Sequence, residues 1–321
     1  MRMNEYLFIL GYARVVPAKP TGRLGVDMRI TKTLAALAAG AMALAACGSD
    51  TVSAGPDADS GYDTSKISTV REIADLVPER VKSDGKLTFG TNLYWPPAGF
   101  YASDGTSPIG YDVDLMKALA AVMGLKPDIQ QAEFASIMPG IPQRYEMGVS
   151  AITITSDRQK NFTMIQYYTV GTAWAVGKGN PTHFNPKNIC GKTIGVQSGT
   201  LQDDAIAKMA KACDNPPDIQ RYDKQNAVTQ VLIGGKVDAM AADTSVIQYA
   251  LTQARGTLET IGDVTDSAPQ GVVVGKGDAQ MSKATQAALQ YLMDKGILKG
   301  IFAKWGIKDN VASQALINPV K

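Results

Sequence analysis

Arg158 and Asp243 are the residues around which chemistry can be organised in this sequence. A planar guanidinium grips a carboxylate with two parallel hydrogen bonds, which an ammonium cannot do. An aspartate in turn accepts from an ammonium. At other positions that follow short apolar runs stand Asn92, Tyr94 and Trp95, then Phe134, Thr153 and Thr155, and finally Gln197, Ser198 and Thr200. One cation, one anion, hydroxyls, amides and aromatics form the complement that a zwitterionic amino acid asks for. Plainer roles exist for the same residues. Arg158 lies beside Asp157 and Lys160 as a surface arginine would, Asp243 and Thr200 precede helical patterns as N-caps would, and Trp95 and Phe134 could be core. Other chemistries fail on their residues. His183 is the only histidine, so no His-rich metal site or ordinary triad is available. Gly191-Lys192-Thr193 lacks the upstream glycine of a phosphate loop, Pro186 standing there, and a strand rather than a helix follows. There is no Gly-x-Ser-x-Gly elbow, His-Glu-x-x-His or Cys-x-x-Cys, and Gly177-Lys178-Gly179 and Gly275-Lys276-Gly277 are isolated loop glycines.

The elements that must position these residues alternate between short apolar strands and amphipathic helices. Strands are predicted at 86–90, 148–152, 173–176, 193–196, 237–241 and 271–274. Helices are predicted at 111–123, 137–143, 201–212, 227–233, 246–253, 282–294 and 298–305. In the first helix Leu115, Ala118, Leu119 and Val122 recur at i, i+3, i+4 and i+7, with Gly124 as its stop. This alternation predicts an α/β protein with largely parallel sheets covered on both faces. In such sheets ligands bind beyond the carboxyl ends of strands, where the candidate residues sit.

The length of 321 residues suits two domains, and 45% hydrophobic with 19% charged residues is globular composition. Six basic residues against two acids precede Cys47, leaving 26 basic and 28 acidic residues in the remainder. That remainder has no basic excess with which to hold nucleic acid. Arg29 and Lys32 precede the 13-residue apolar run Leu34–Ala46, too short for a span of about 20 residues and fitting an export leader. The run ends in Leu44-Ala45-Ala46-Cys47-Gly48, which resembles the lipobox of bacterial lipoproteins and implies cleavage before Cys47 with diacylglycerol on its sulfur. Met28, just before the basic residues, is the expected start, with residues 1–27 a misassigned extension. Gly48 to Lys66 is rich in small polar residues and is expected to be a flexible tether. In an exported body Cys190 and Cys213, which flank one strand–helix unit, are available for a disulfide; two free thiols are the alternative.

Over about residues 82–310 the sequence resembles the bacterial solute-binding proteins of family 3, the polar amino-acid receptors of ABC importers. Four segments carry the resemblance in order: Gly110-Tyr111-Asp112-Val113-Asp114-Leu115, Ile152-Thr153-Ile154-Thr155-Ser156-Asp157-Arg158, Gly191 to Thr200, and Gly235 to Asp243. The resemblance implies a two-lobed α/β periplasmic-binding-protein fold of type II, with a hinge of two crossover strands. Lobe 1 would comprise 82–168 and the return 271–321 with its C-terminal tail, and lobe 2 would comprise 171–267. The crossings fall at 168–171 and 267–270, behind a leader at 1–46 and a lipid-anchored tether and lead-in at 47–81.

It further implies that Arg158 pairs with the ligand α-carboxylate and Asp243 with its ammonium. Thr153 and Thr200 would assist the carboxylate through hydroxyl and N–H, and Ala151 would offer a carbonyl to the ammonium. Trp95 and Phe134 would face the ligand side chain, and Asn92, Gln197 and Ser198 would line its subsite. Asn92 replaces a frequent Asp and no second Arg or Lys matches a side-chain carboxylate clamp, which points to an uncharged side chain, polar or aromatic, unless Glu133 faces the cleft. The expected function is therefore an extracytoplasmic, membrane-anchored and monomeric receptor. It would bind a free L-amino acid or close analogue and pass it to ABC permease subunits, with no catalytic residue, metal, cofactor or nucleic acid. A cyclohexadienyl dehydratase-like lyase on the same fold and a ligand sensor without transport are the alternatives.

Overall fold

The computed structural model describes residues 59–321. The leader, the Met28 start and the Cys47 lipid site lie outside the described residues. Two short helices, α1 (Arg71–Ala74) and α2 (Glu79–Lys82), lead into β1 (Lys86–Thr91). A small antiparallel sheet follows: β2 (Tyr94–Trp95), β3 (Gly99–Tyr101) and β4 (Pro108–Ile109). Next come α3 (Tyr111–Val122), β5 (Lys126–Gln131), α4 (Phe134–Ile137) continued by a 3-10 turn, β6 (Met147–Gly148) and α5 (Ser156–Asn161). A long strand, β7 (Phe162–Gly177), leads to β8 (Thr193–Gln197), α6 (Leu201–Ala210), β9 (Asp218–Tyr222), α7 (Gln225–Ile233), β10 (Ala239–Asp243) and α8 (Thr244–Gln253). A second long strand, β11 (Leu258–Gly275), returns to α9 (Ala279–Asp294) and α10 (Ile297–Lys304).

Eight strands form one sheet in the order β5-β1-β6-β11-β7-β10-β8-β9. The outer groups are parallel, as buried α/β strands are, while β7 and β11 pair antiparallel along their lengths and carry the sheet from one lobe to the other. Two separate parallel sheets are thus replaced by one sheet with two shared antiparallel strands. The runs 173–176 and 271–274 are the fully buried ends of those long strands. The β11 register slips between Ile261 and Thr265, between Thr265 and Ala268, and between Gln270 and Gly271. Bulges of this kind bend and twist a ribbon locally. They fall where β7 and β11 pass between the lobes.

Ten of the twelve residues of α3 are buried. The helix therefore lies inside lobe 1, against β1 and β5 on one side and α9 and α10 on the other. Leu115, Met116, Leu119 and Val122 are fully inaccessible, each worth roughly 2 kcal/mol of apolar burial. Lobe 2 has its own cluster around Trp174, Phe184, Ile194, Val196 and Ile206. The Cys190–Cys213 disulfide forms; it closes the segments flanking β8 and α6 at the end of β8 remote from Gln197.

Gly110 starts α3 at φ +130, and a Cβ there would lie 2.2 Å from the Ala98 carbonyl oxygen. Both the conformation and the contact exclude a side chain, because Ala98 O accepts the Asp112 N–H at 2.9 Å. Gly110→Ala is expected to destabilise the fold by about 2–4 kcal/mol in urea unfolding. A loss below about 1 kcal/mol would show that the Pro97–Gly99 strand-turn can move aside.

The expected tether is shorter than read. From Asp59 on, the chain is docked on lobe 1: Asp59 accepts from the Ser103 N–H at 2.9 Å, and the Tyr62 N–H donates to Asp114 Oδ2 at 2.8 Å. Asp114 also accepts from Trp305 Nε1 at 2.8 Å. A Cβ at Gly61 would stand 2.2 Å from Asp114 Oδ1, so a side chain there would have to displace that carboxylate. The lead-in then buries Ile73, Val77 and Val81 in the lobe 1 core. Among the described residues, no helix is long and apolar enough to cross a membrane.

Candidate functional site

The predicted residues converge from both lobes on the carboxyl ends of the strands. Asn92 follows β1, Trp95 ends β2, and Phe134 opens α4; the stretch after β6 supplies Ala151 and Thr153, and α5 supplies Arg158. From lobe 2, Gln197 ends β8, Ser198 and Thr200 follow it, and Asp243 ends β10. Asn92, Trp95, Ala151, Thr153, Gln197, Thr200 and Asp243 are buried, and Phe134, Arg158 and Ser198 half-buried. The lobes meet over these groups. Gln197 Nε2 donates to Asn92 Oδ1 at 3.4 Å, Arg158 Nη2 reaches the Gly199 carbonyl at 3.5 Å, and Lys224 Nζ stands 4.0 Å from the Tyr94 ring centroid. This is a closed arrangement.

Arg158 is placed by the cap of α5: Thr155 Oγ1 accepts the Arg158 N–H at 3.1 Å. Its Nη1 donates to the Thr153 carbonyl at 2.8 Å, and its guanidinium carbon lies 5.9 Å from the Phe134 ring centroid. Among the described residues, no carboxylate forms an ion pair with it. Burial pulls its pKa below the usual arginine value, against the more distant Asp204 and Asp243. Asp243 is 3% exposed; Oδ1 accepts from Gln202 Nε2 at 3.0 Å and Oδ2 from Gln270 Nε2 at 2.8 Å. Burial pushes its pKa up to about 7 although both amides and Arg158 favour the anion. A cation and an anion on opposite lobes are thus each desolvated and not neutralised by one another. A carboxylate and an ammonium on one small molecule would satisfy both.

The remaining predicted residues divide. Trp95 and Phe134 present ring planes 17° apart with centroids 6.4 Å apart. Asn92 anchors the lobe 1 wall, donating to the Ala132 carbonyl at 3.0 Å. Gln197 donates to the Asp223 carbonyl at 2.8 Å while its own buried carbonyl oxygen has no partner. Thr200 is the cap of α6: its hydroxyl donates to the Gln197 carbonyl at 2.9 Å and accepts from the Asp203 N–H at 3.1 Å. That leaves its backbone N–H, at the positive end of the helix, rather than its hydroxyl, for an anion. The Ser198 hydroxyl donates to the Tyr222 carbonyl at 3.3 Å, toward β9. Glu133 is exposed at the start of α4.

Three polar residues of the site were not among those predicted. Gln202 and Gln270 hold Asp243, and Gln270, fully buried on β11, ties it to the crossing strands. Asp112, with no exposed surface, accepts the Ala151 N–H at 2.6 Å and the Tyr167 hydroxyl at 2.7 Å. Burial pushes Asp112 to about 7, and Asp243 adds a smaller upward push. A charged residue at a buried position of α3 was the available signal for Asp112; nothing local marks the two glutamines.

The model of the bacterial extracellular solute-binding proteins, family 3, matches residues 87–308. The chain belongs to this family. Its members are extracellular solute-binding proteins. One relative is the arginine-binding protein ArgT of Corynebacterium glutamicum, 32% identical over 299 residues, covering 91% of this chain and 97% of ArgT. The L-cystine-binding protein TcyJ of Escherichia coli is 25% identical over 241 residues, covering 74% and 89% of the two chains. Among solved structures, an ancestral arginine-binding protein bound to arginine superposes with a TM-score of 0.65 at 29% identity, covering 69% of this chain and 98% of that one. The family 3 fold thus has the two-lobe form that the sequence predicts.

Proposed function

We propose that this family 3 protein is an extracytoplasmic amino-acid receptor that closes its lobes around a zwitterion and delivers it to an ABC importer. The supporting observation is the pair Arg158 and Asp243, half-buried and buried respectively, desolvated on opposite lobes and not paired with each other. Closure then takes its free energy from neutralising both, a hinge motion in which ligand selects the closed form. The hinge is the bulged passage of β7 and β11 near 168–171 and 267–270, with lobe 1 at 82–168 and 271–321 and lobe 2 at 171–267.

The ligand class is an L-amino acid whose side chain ends in a planar N–H donor, a guanidinium or an amide. The unpartnered Gln197 carbonyl oxygen offers an acceptor for such a group, and the Trp95 and Phe134 faces suit a flat one. The arginine-binding ArgT and the ancestral protein bound to arginine put arginine first in that class, in place of the uncharged side chain that Asn92 suggested, with glutamine, bound in a second ancestral structure, beside it. The protein performs no chemistry on the ligand: Asp112, the second buried carboxyl of the site, has both oxygens engaged, and Glu133 is exposed. Cys47 carries the lipid, and a chain of small residues links it to the monomeric body at Asp59.

The test is a thermal-shift panel of the twenty amino acids on the purified protein. L-arginine or L-glutamine is expected to raise the melting temperature, since a ligand of the folded form alone stabilises by mass action. A panel in which no amino acid shifts the transition would overturn the reading.

A further inference from the structure

We propose that Asp112 is the positioning residue of the ammonium subsite, fixing the Ala151 peptide and adding a second negative charge behind it. The inference rests on the amino-acid reading above and extends it to a residue that touches no ligand. Asp112 sits in the first turn of α3, whose N-cap is Gly110. Its carboxylate does not cap that helix: it reaches 39 residues along the chain to the Ala151 N–H at 2.6 Å. Ala151 holds φ at +49, a left-handed conformation that costs a residue with a side chain about 1–2 kcal/mol. A charge-assisted hydrogen bond is the strongest single contact available to hold it.

The surrounding stretch shows what is being held. Ser150 Oγ accepts the Asn92 N–H at 3.0 Å, the Ile152 carbonyl accepts from Gly271 on β11 at 3.0 Å, and the Thr153 carbonyl accepts from Arg158. Residues 150–153 thus connect the side-chain wall, a crossing strand and the carboxylate clamp, and Asp112 fixes the one peptide in that stretch with a strained φ. A neutral amide would satisfy the same N–H with a smaller desolvation cost. The carboxylate is therefore more than the fold requires. Across the closed cleft stands Asp243, near enough to perturb Asp112; Tyr111 and Tyr167 pack around it, and no lysine or arginine pairs with it among the described residues. An ammonium seated between Asp243 and the Ala151 carbonyl would feel both anions.

The test is Asp112→Asn, in which the amide oxygen keeps the Ala151 N–H and the amide nitrogen donates to the Tyr167 oxygen. Affinities for L-arginine, L-glutamine and the des-amino analogue 5-guanidinopentanoate are measured by calorimetry, alongside the unliganded melting temperature. The expected result is a loss of about tenfold or more for the amino acids, less than twofold for the des-amino analogue, and an unliganded transition as cooperative as in the parent. Equal losses for all three ligands, or none, would overturn the proposal. If Asp112→Asn does not fold, Ala151→Gly decides: relief of the φ strain should hold or raise stability while freeing the peptide weakens amino-acid binding several-fold, and unchanged binding overturns the proposal. Should the parent protein bind no amino acid, the receptor reading itself has failed; a parent that binds beside an Asp112→Asn variant that binds equally well rejects only the role of Asp112.

Discussion

Arg158→Ala abolishes the ligand-induced rise in melting temperature and leaves the unliganded fold standing. The guanidinium is desolvated and has no carboxylate partner, so the unliganded protein gains from it chiefly one bond to the Thr153 carbonyl. Removing it loses about 1 kcal/mol of hydrogen bonding and relieves the burial of a charge, and the two offset. The unliganded transition should therefore move by no more than a few degrees. In the liganded protein the same change leaves a buried carboxylate without its bidentate partner, a loss of about 3–5 kcal/mol, or roughly 10²–10⁴-fold in Kd. Arg158→Lys should fall between, because a point charge recovers attraction but not the two-bond fork. A full thermal response from the alanine variant would remove the carboxylate from this position.

Ligand affinity rises with pH up to about 7 and is flat above it. Asp243 is held at about 7 by burial, whereas an aspartate in an unfolded chain titrates near 3.9. The ammonium favours the anion, so below about 7 binding must expel a proton from Asp243, and Kd should weaken about tenfold per pH unit down to pH 5.5. The unliganded protein shows the opposite trend. Between about 4 and 7 its native state keeps a proton that the unfolded chain has released, so stability falls as pH rises through that window, by up to about 4 kcal/mol per carboxyl. Asp112, also held at about 7, acts with the same sign. Asp243→Asn should bind at least 100-fold more weakly at pH 8 and keep only the shallower pH dependence that Asp112 contributes. Equal wild-type affinities at pH 5.5 and 7.5 would mean that Asp243 does not meet the ammonium.

The sequence determined the alternation of elements, the apolar face of α3, and the placing of Arg158 and Asp243 past apolar runs, because an apolar face and the end of an apolar run leave a local record in residue type and spacing. Apolar period marked α3, and four fully buried alanine and methionine positions marked β10. Other features left no such record. The stretch 148–152 reads as a strand because it is apolar, yet the regular ladder stops after Gly148: Ala151 turns to φ +49 with its N–H on Asp112, and the chain meets β11 again only at Ile152 and Thr153. The long strands were visible only at their buried ends; from Thr260 to Ser267 the mostly polar and mostly exposed residues of β11 carry no alternation. The hydroxyl of Thr200 could be a ligand or a cap on sequence alone, and the fold assigned it to the cap. Gln202 and Gln270 acquire their role only through Asp243, 41 and 27 residues away. Periodicity reports how much water a residue loses on folding. It does not report which distant group replaces that water, and a buried carboxyl's proton affinity depends on that replacement.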